Sequence, residues 1–87
     1  MDQQRWCFLG LVVDNRRESA VSIQELLTEY GDIIMGRMGV PLRGLDVCAI
    51  SLIVNGASPQ AETLAEKLAR LPGVQVTSSY TTTKKRG

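Results

Sequence analysis

The segment of this sequence whose residues could most readily bind an anion is Tyr30–Gly44 (YGDIIMGRMGVPLRG), which places arginines next to glycines. Glycine-rich loops can cradle phosphates, and arginine donates charge-assisted hydrogen bonds to anions. A Walker A loop, however, ends in Gly-Lys-Ser/Thr before a helix, and a dinucleotide fingerprint lies between a strand and a helix. The segment has neither the ending nor the context. We therefore interpret Gly36 and Gly39 as strand positions with a bulge or a close backbone approach.

Side chains for acid–base or metal chemistry are few. The chain has no histidine, which removes the commonest general base and the commonest transition-metal ligand. Asp14, Asp32 and Asp46 are the candidate acids, and no nucleophile motif accompanies them. Cys7 and Cys48 lie in apolar runs, which favours reduced core thiols over the alternatives of a disulfide or a soft-metal or redox site. We predict no catalytic residue, no metal site and no cofactor, with catalysis at a subunit cleft as the alternative.

Hydrophobic periodicity divides the chain into four strands and two helices. Apolar runs predict strands at Arg5–Val13, Asp32–Val40, Leu45–Val54 and Val74–Tyr80. Helical spacing predicts one helix from a cap at Asn15 to Gly31, and another from Ser58-Pro59 to Pro72-Gly73. This order predicts an α+β ferredoxin-like βαββαβ sandwich, in which both helices cover one face of a four-stranded antiparallel sheet. A single domain would span residues 1–80, and residues 81–87 would form a polar, basic and frayed tail.

Strand alternation places apolar residues on both faces of the two central strands. Cys7, Leu9, Leu11 and Val13 would face the helices, and the helices can cover only that face. The other face would be an apolar patch, which soluble monomers seldom expose unless the tail or sheet curvature hides it. We predict a homo-oligomer, a dimer or a tetramer, that packs through this face. The predicted interface residues are Trp6, Phe8, Gly10, Val12, Val47, Ala49, Ser51 and Ile53.

Composition argues against several classes of function. A net charge of +1 gives no general attraction to nucleic acid. No helix-turn-helix or ribbon-helix-helix segment precedes the first strand, so we expect no direct sequence-specific DNA binding. No run approaches the ~20 apolar residues of a membrane span, and the N-terminus lacks the pattern of a signal peptide. We therefore expect a cytoplasmic protein with no membrane association.

Four quoted segments together carry a family resemblance. VVDNRRES, YGDIIMGRMGVP, ISLIV and LARLPGVQVTSS, in this order, resemble a small bacterial family of iron-only hydrogenase system regulators over residues 6–79. The most specific parts are Gly36-Arg37-Met38-Gly39-x-Pro41 and Leu71-Pro72-Gly73-Val74. The resemblance implies an ACT-like, single-domain oligomer similar to the effector domain of the nickel-responsive repressor. That repressor's histidine-rich metal site has no counterpart here. Ala65-Glu66-Lys67-Leu68-Ala69 also lacks the glycines that flank the Lys-Leu pair in the family's second helix.

The resemblance also implies a place for a small-molecule effector. ACT-like domains bind effectors at subunit interfaces near the turn between the first strand and the first helix, which matches Asp14–Arg17 here. Helix N-terminal amides there could receive an anion. The predicted ligand-binding residues are Asp14, Asn15, Arg16, Arg37, Gly39 and Arg43, and an ordinary capped, solvated turn is the alternative. The predicted function is a non-enzymatic effector-sensing regulatory module. The alternative is a protein-interaction scaffold subunit that binds a protein partner and no ligand.

Overall fold

The computed structural model describes residues 3–14 and 17–84, and its elements follow the predicted order. The strands are β1 (Gln3–Asp14), β2 (Ile34–Leu42), β3 (Val47–Asn55) and β4 (Val74–Lys84); the helices are α1 (Arg17–Glu29) and α2 (Gln60–Ala69), with a 3-10 turn at Gly31–Ile33. This arrangement confirms the predicted ferredoxin-like βαββαβ fold. Within the described ranges, no helix is both long and apolar enough to cross a membrane.

The four strands form one antiparallel sheet in the order β2-β3-β1-β4. The two most apolar strands, β1 and β3, are therefore central neighbours, as the sequence predicted. A register irregularity between Ile34 and Gly36 marks a bulge in β2, which agrees with the interpretation of Gly36. Gly39 pairs regularly with Ile50, and a β-carbon on it would be 3.9 Å from that side chain, so the interpretation is wrong for Gly39. Pro41 is tolerated because β2 is an edge strand.

The core lies between the sheet and the two helices. From Cys7 to Val13 every second residue of β1 is buried there, because successive side chains of a strand point to opposite faces. Burying each large apolar side chain contributes roughly 1.5–3 kcal/mol relative to exposing it. The core includes Cys7, Leu9, Leu11, Val13, Ile23, Leu27, Leu52, Val54, Ala61, Leu64 and Leu68.

The two cysteines are both free thiols, but only one is fully buried. Cys7 has no exposed surface, whereas Cys48 is half-buried. The prediction that both are core residues is therefore wrong in part. Cys48 lines a small cavity that separates the start of β3 from α1, and this explains its residual exposure.

Several element boundaries differ from those predicted. β4 continues through Thr81–Lys84, which pair with Gln3–Trp6 of β1. The predicted tail is therefore wrong for residues 81–84, because threonine-rich segments favour strands once a partner is beside them. Residues 85–87 and the predicted helix cap Asn15 lie outside the described residues. β2 begins at Ile34 rather than Asp32, because the preceding 3-10 turn occupies Gly31–Ile33.

The helices leave the other face of the sheet uncovered within one chain. Pairing between β1 and β3 places Phe8 opposite Ile53 on this face, and these side chains are 43% and 39% exposed. Val12 is 45% exposed, and Met38 and Val40 of β2 extend the patch toward the sheet edge with 63% and 46% exposure. We call these five residues the open face. The register places the remaining predicted interface residues around them: Trp6, Gly10, Val47, Ala49 and Ser51.

Candidate functional site at the end of β1

The candidate site lies at the end of the sheet where β1 finishes and β3 begins. Asp14, the last residue of β1, is opposite Val47, the first residue of β3. Its backbone N–H donates a 2.9 Å hydrogen bond to the carbonyl oxygen of Gly73, in the loop between α2 and β4. Gly73 has a φ of +74°, a left-handed conformation that glycine adopts readily. The end of β1 is thus fixed against this loop.

A second bond ties α1 to the same loop. The hydroxyl of Ser19 donates to the carbonyl oxygen of Pro72 at 2.5 Å, and Ser19 is only 2% exposed. This partly buried hydrogen bond aligns the first turns of α1 with the residues before β4. Three elements, β1, α1 and the loop before β4, therefore meet around Asp14.

A small cavity lies on the helix side of Asp14. It has a volume of about 110 Å³, which is room for a few water molecules, since each occupies about 30 Å³ in the liquid. We call it the helix-side cavity. Its walls come from β1, α1 and β3: Val13, Asp14, Ala20, Ile23, Gln24, Cys48 and Ile50.

A larger hollow lies at the neighbouring end of the open face. Its volume of about 360 Å³ is at the lower end of the range of about 300–1,000 Å³ for small-molecule sites. We call it the open-face hollow. It is lined by Val12, Asp14, Val47, Gly73, Val74 and Gln75. Asp14 lines both spaces, so the same residue contributes to each.

The other predicted ligand-binding residues lie at different distances from these spaces. Arg37 of β2 extends toward α1, where its guanidinium donates a 3.4 Å hydrogen bond to the side-chain oxygen of Gln24, which lines the helix-side cavity. Gly39 is opposite Ile50, another wall of that cavity. Arg43 lies in the exposed turn between β2 and β3, at the same end of the sheet, but lines neither space. Asn15 and Arg16 lie outside the described residues.

Two groups with raised pKa values lie elsewhere. The pKa of Tyr80 is raised, mainly by partial burial and to a smaller extent by contact with Cys7. The Arg5 guanidinium lies 4.3 Å from the centre of the Tyr80 ring. The pKa of Lys67 is raised, mainly by a hydrogen bond with Tyr30 and to a smaller extent by the negative charge of Glu29. Tyr80 lies at the far end of the sheet, and Lys67 lies at the contact between the two helices.

Within residues 3–14 and 17–84, no group of three or more cysteine, aspartate or glutamate side chains could hold a metal ion.

Comparison with known proteins assigns the chain to a family. The model of a family described as "TM1266-like: Iron-only hydrogenase system regulator, putative" matches residues 5–78. The chain belongs to this family. The match includes the segments at residues 36–41 and 71–74, so the resemblance predicted from the sequence is confirmed. No curated protein matches the sequence of this TM1266-like protein.

Solved structures support the same fold. The uncharacterized protein TM1266 from Thermotoga maritima is 26% identical, with a TM-score of 0.82 over 90% of this chain and 96% of its own. A PII-like signaling protein from Thermus thermophilus is 15% identical, with a TM-score of 0.65 over 97% and 94% of the two chains. The ACT domain of GTP pyrophosphokinase from Chlorobium tepidum is 17% identical, with a TM-score of 0.60 over 87% and 96%. The last two likenesses show the ferredoxin-like fold that these proteins share with the TM1266-like chain.

Sequence reasoning missed three residues that shape the site. Gln24 and Ser19 were not singled out, and Gly73 was interpreted only as the end of a helix. Gly73 could have been found from the sequence, because it belongs to the Leu71–Val74 segment that is specific to the family.

The second helix, α2, lacks the glycines that flank the Lys-Leu pair in the family. Here the Lys67 ammonium lies 5.2 Å from the centre of the Tyr30 ring, and Ala65 packs against the core. That stretch of this TM1266-like protein therefore packs within the chain.

Proposed function

We propose that this TM1266-like protein is a non-enzymatic, effector-sensing regulatory module that acts as a homo-oligomer and binds a small polar ligand beside Asp14. The family description supports a regulatory role. The observation that carries the proposal is that the open-face hollow, which includes Asp14, is continuous through Val12 with the uncovered apolar face. A second copy packed on that face would also close the hollow.

The open face supports self-association. Phe8, Val12 and Ile53 are apolar and between 39% and 45% exposed, on the two central strands of the sheet. Each Å² of apolar surface removed from water contributes about 25 cal/mol before the costs of association. Ser51 and Gly10 lie opposite each other at the centre of this face, where small side chains allow close packing of a partner. Dimer and tetramer are both compatible with this proposal.

The position of Asp14 supports coupling between ligand binding and oligomer formation. Its carboxylate can accept hydrogen bonds from a ligand, and such charge-assisted bonds strengthen when a partner excludes water. Asn15 and Arg16 are proposed as further contacts next to Asp14 in the sequence, with Arg37 and Gly39 from β2 and Arg43 from the β2–β3 turn. A ligand held between subunits would stabilise the oligomer by mass action, which is the property a sensor requires. We place this module in the cytoplasm, in keeping with its two free thiols.

Native mass spectrometry of protein purified without oxygen tests this proposal, because it reports assembly and bound ligand together. We expect an oligomer that carries extra mass. Phe8→Glu should give a monomer without that mass, since an unpaired carboxylate at the interface costs about 3–5 kcal/mol, or at least 100-fold in affinity. Val21→Glu is the matched control, because Val21 is 59% exposed on α1, away from the open face. Asp14→Asn should keep the oligomer and lose the extra mass.

The same spectra distinguish the alternatives. A wild-type monomer would overturn the role of the open face and the interface site with it. An oligomer without extra mass, unchanged by Asp14→Asn, would favour a scaffold subunit that binds a protein partner and no ligand.

A further inference from the structure

A separate hollow lies at the opposite end of the sheet from Asp14. It has a volume of about 370 Å³ and lies where β3 ends, next to the pairing of Trp6 with Asn55. This volume is also within the range of about 300–1,000 Å³ for small-molecule sites. We call it the indole hollow. It is lined by Gln4, Arg5, Trp6, Met35, Asn55 and Ala57.

The ring of Trp6 provides a flat wall. Its indole N–H donates a 2.8 Å hydrogen bond to the hydroxyl of Thr83 on β4, so its polar group has a partner within the chain. The half-buried Trp6 side chain therefore offers its aromatic surface to a ligand. Met35, at the bulge of β2, is 55% exposed and places a flexible, polarizable thioether at the rim. Together these side chains suit a planar, apolar ring.

The polar groups of the indole hollow are neutral amides. The side-chain oxygen of Asn55 accepts a 3.0 Å hydrogen bond from the backbone N–H of Ala57, which leaves the NH₂ group of Asn55 as a donor. Gln4 is exposed and offers both a donor and an acceptor. Among the described residues that line the hollow, the one charged side chain is that of Arg5, and its guanidinium lies over the Tyr80 ring. A ligand is therefore recognised by a flat ring with hydrogen-bonding edges rather than by an anionic group.

The loop beneath the hollow is held close to β1. The backbone N–H of Gly56 donates a 2.8 Å hydrogen bond to the carbonyl oxygen of Arg5. A β-carbon on Gly56 would lie 3.0 Å from the carbonyl carbon of Trp6, so any other residue would push the loop away. This close approach fixes Asn55 relative to Trp6 before any ligand arrives. Preorganisation of this kind lowers the cost of binding.

We propose that the indole hollow binds a nucleobase-type heterocycle, as the free base or the nucleoside. The ring stacks on Trp6, and its edge bonds to Asn55 and Gln4. Nucleobases combine a flat π surface with donor and acceptor edges, and stacking of a base on an aromatic side chain is worth about 1–3 kcal/mol. The proposed contacts are to the base alone, and we expect a phosphate to add little, because the Arg5 guanidinium is already placed over the Tyr80 ring. This site is distinct from the effector site proposed at Asp14. Trp6 lies at the edge of the open face, so the proposed subunit contact through Phe8, Val12 and Ile53 must leave its ring accessible.

The intrinsic fluorescence of the protein gives a direct test. Trp6 is the only tryptophan of the chain, so its emission reports on this hollow alone. We would titrate the full-length protein with adenosine, with AMP, and with ribose as a control that lacks the base. We expect saturable quenching by adenosine, an equal affinity for AMP and no quenching by ribose. Absence of saturable quenching at millimolar adenosine, or equal quenching by ribose, would overturn the proposal.

Variants locate the adenosine-binding site and distinguish it from the effector site proposed at Asp14. Gln4→Ala, at an exposed position, should weaken adenosine binding roughly 3- to 10-fold through loss of one hydrogen bond. Trp6→Leu, followed by calorimetry, should weaken it about 10-fold or more. Phe8→Leu and Asp14→Asn should bind adenosine as the wild type does, whatever becomes of the effector proposal. Wild-type affinity in both Gln4→Ala and Trp6→Leu would place adenosine elsewhere and refute this site.

Discussion

The contact between Gly73 and Asp14 allows a quantitative test of how the candidate site is held. Gly73→Ala would place a side chain on a residue with a φ of +74°. That conformation costs an alanine roughly 1–2 kcal/mol, and the lower entropy of the unfolded chain offsets about 0.4–1 kcal/mol. Strain alone therefore predicts a net loss of about 1 kcal/mol in the free energy of unfolding.

The position of Asp14 adds a second cost. A β-carbon on Gly73 would lie 2.5 Å from the side-chain carboxyl carbon of Asp14, well inside van der Waals contact. The backbone of Asp14 cannot move away, because its N–H is hydrogen-bonded to the Gly73 carbonyl oxygen at 2.9 Å, so only rotation of the short side chain can relieve the contact. Crowding of this kind costs about 1–3 kcal/mol. We expect Gly73→Ala to lose about 2–4 kcal/mol in total.

Gly44 provides the matched control, since its φ is +80° and, among the described residues beyond its two chain neighbours, no atom would lie within 4 Å of its β-carbon. Gly44→Ala should lose only the strain contribution of about 1 kcal/mol. In an Asp14→Ala background, Gly73→Ala should also cost about 1 kcal/mol, which gives a coupling energy of about 1–3 kcal/mol between the two positions.

Urea unfolding followed by circular dichroism measures these differences. All variants should be compared at one protein concentration, because the stability of an oligomer depends on it. Equal losses for Gly73→Ala and Gly44→Ala, or additive effects of the Asp14 and Gly73 changes, would show that the carboxyl group is not fixed against this loop.

Two further predictions concern the hydrogen bond at α1 and the far end of the sheet. Ser19→Ala should lower the free energy of unfolding by about 0.5–1.5 kcal/mol in urea, because the carbonyl of Pro72 loses its donor. The exposed Ser78→Ala is its control and should have a smaller effect. Because the pKa of Tyr80 is raised in the folded protein, its stabilising contribution is present below pH ~10 and is lost as the pH rises through the folded value. Unfolding measured from pH 9 to 11.5 should therefore show a steeper loss of stability with pH in the wild type than in Tyr80→Phe. Equal slopes of stability against pH in the two proteins would contradict a raised pKa for Tyr80.

The fold could be predicted from the sequence because apolar runs and helical periods follow one another in the order βαββαβ. β1 is apolar on both faces, so its alternation separates Cys7, Leu9 and Leu11 from the residues of the open face, and the position of the helices decides which set is buried. The end of β4 could not be predicted in the same way. Thr81–Lys84 are polar on both sides, and only pairing with the start of β1 makes them a strand.

The candidate site could be predicted in part. Asp14 was accessible to prediction because it ends an apolar run and matches a position named by the family resemblance. The bond from Arg37 to Gln24 crosses from β2 to α1, and the contact between Gly73 and Asp14 joins positions about 60 residues apart. Such contacts depend on helix placement and loop path, which local periodicity does not encode. The indole hollow was missed for the same reason, since it combines residues of β1, β3 and the bulge in β2.

The strand order has a consequence for how the chain folds during synthesis. β1 is a central strand, yet it precedes both of its neighbours, and Gln3 pairs with Lys84 about 80 residues later. Pairing over such separations slows folding, because loop closure must precede any gain from the contact. Until β3 and β4 emerge from the ribosome, β1 exposes an apolar strand with two unpaired edges. The nascent chain is therefore most prone to aggregation between the synthesis of β1 and that of β4.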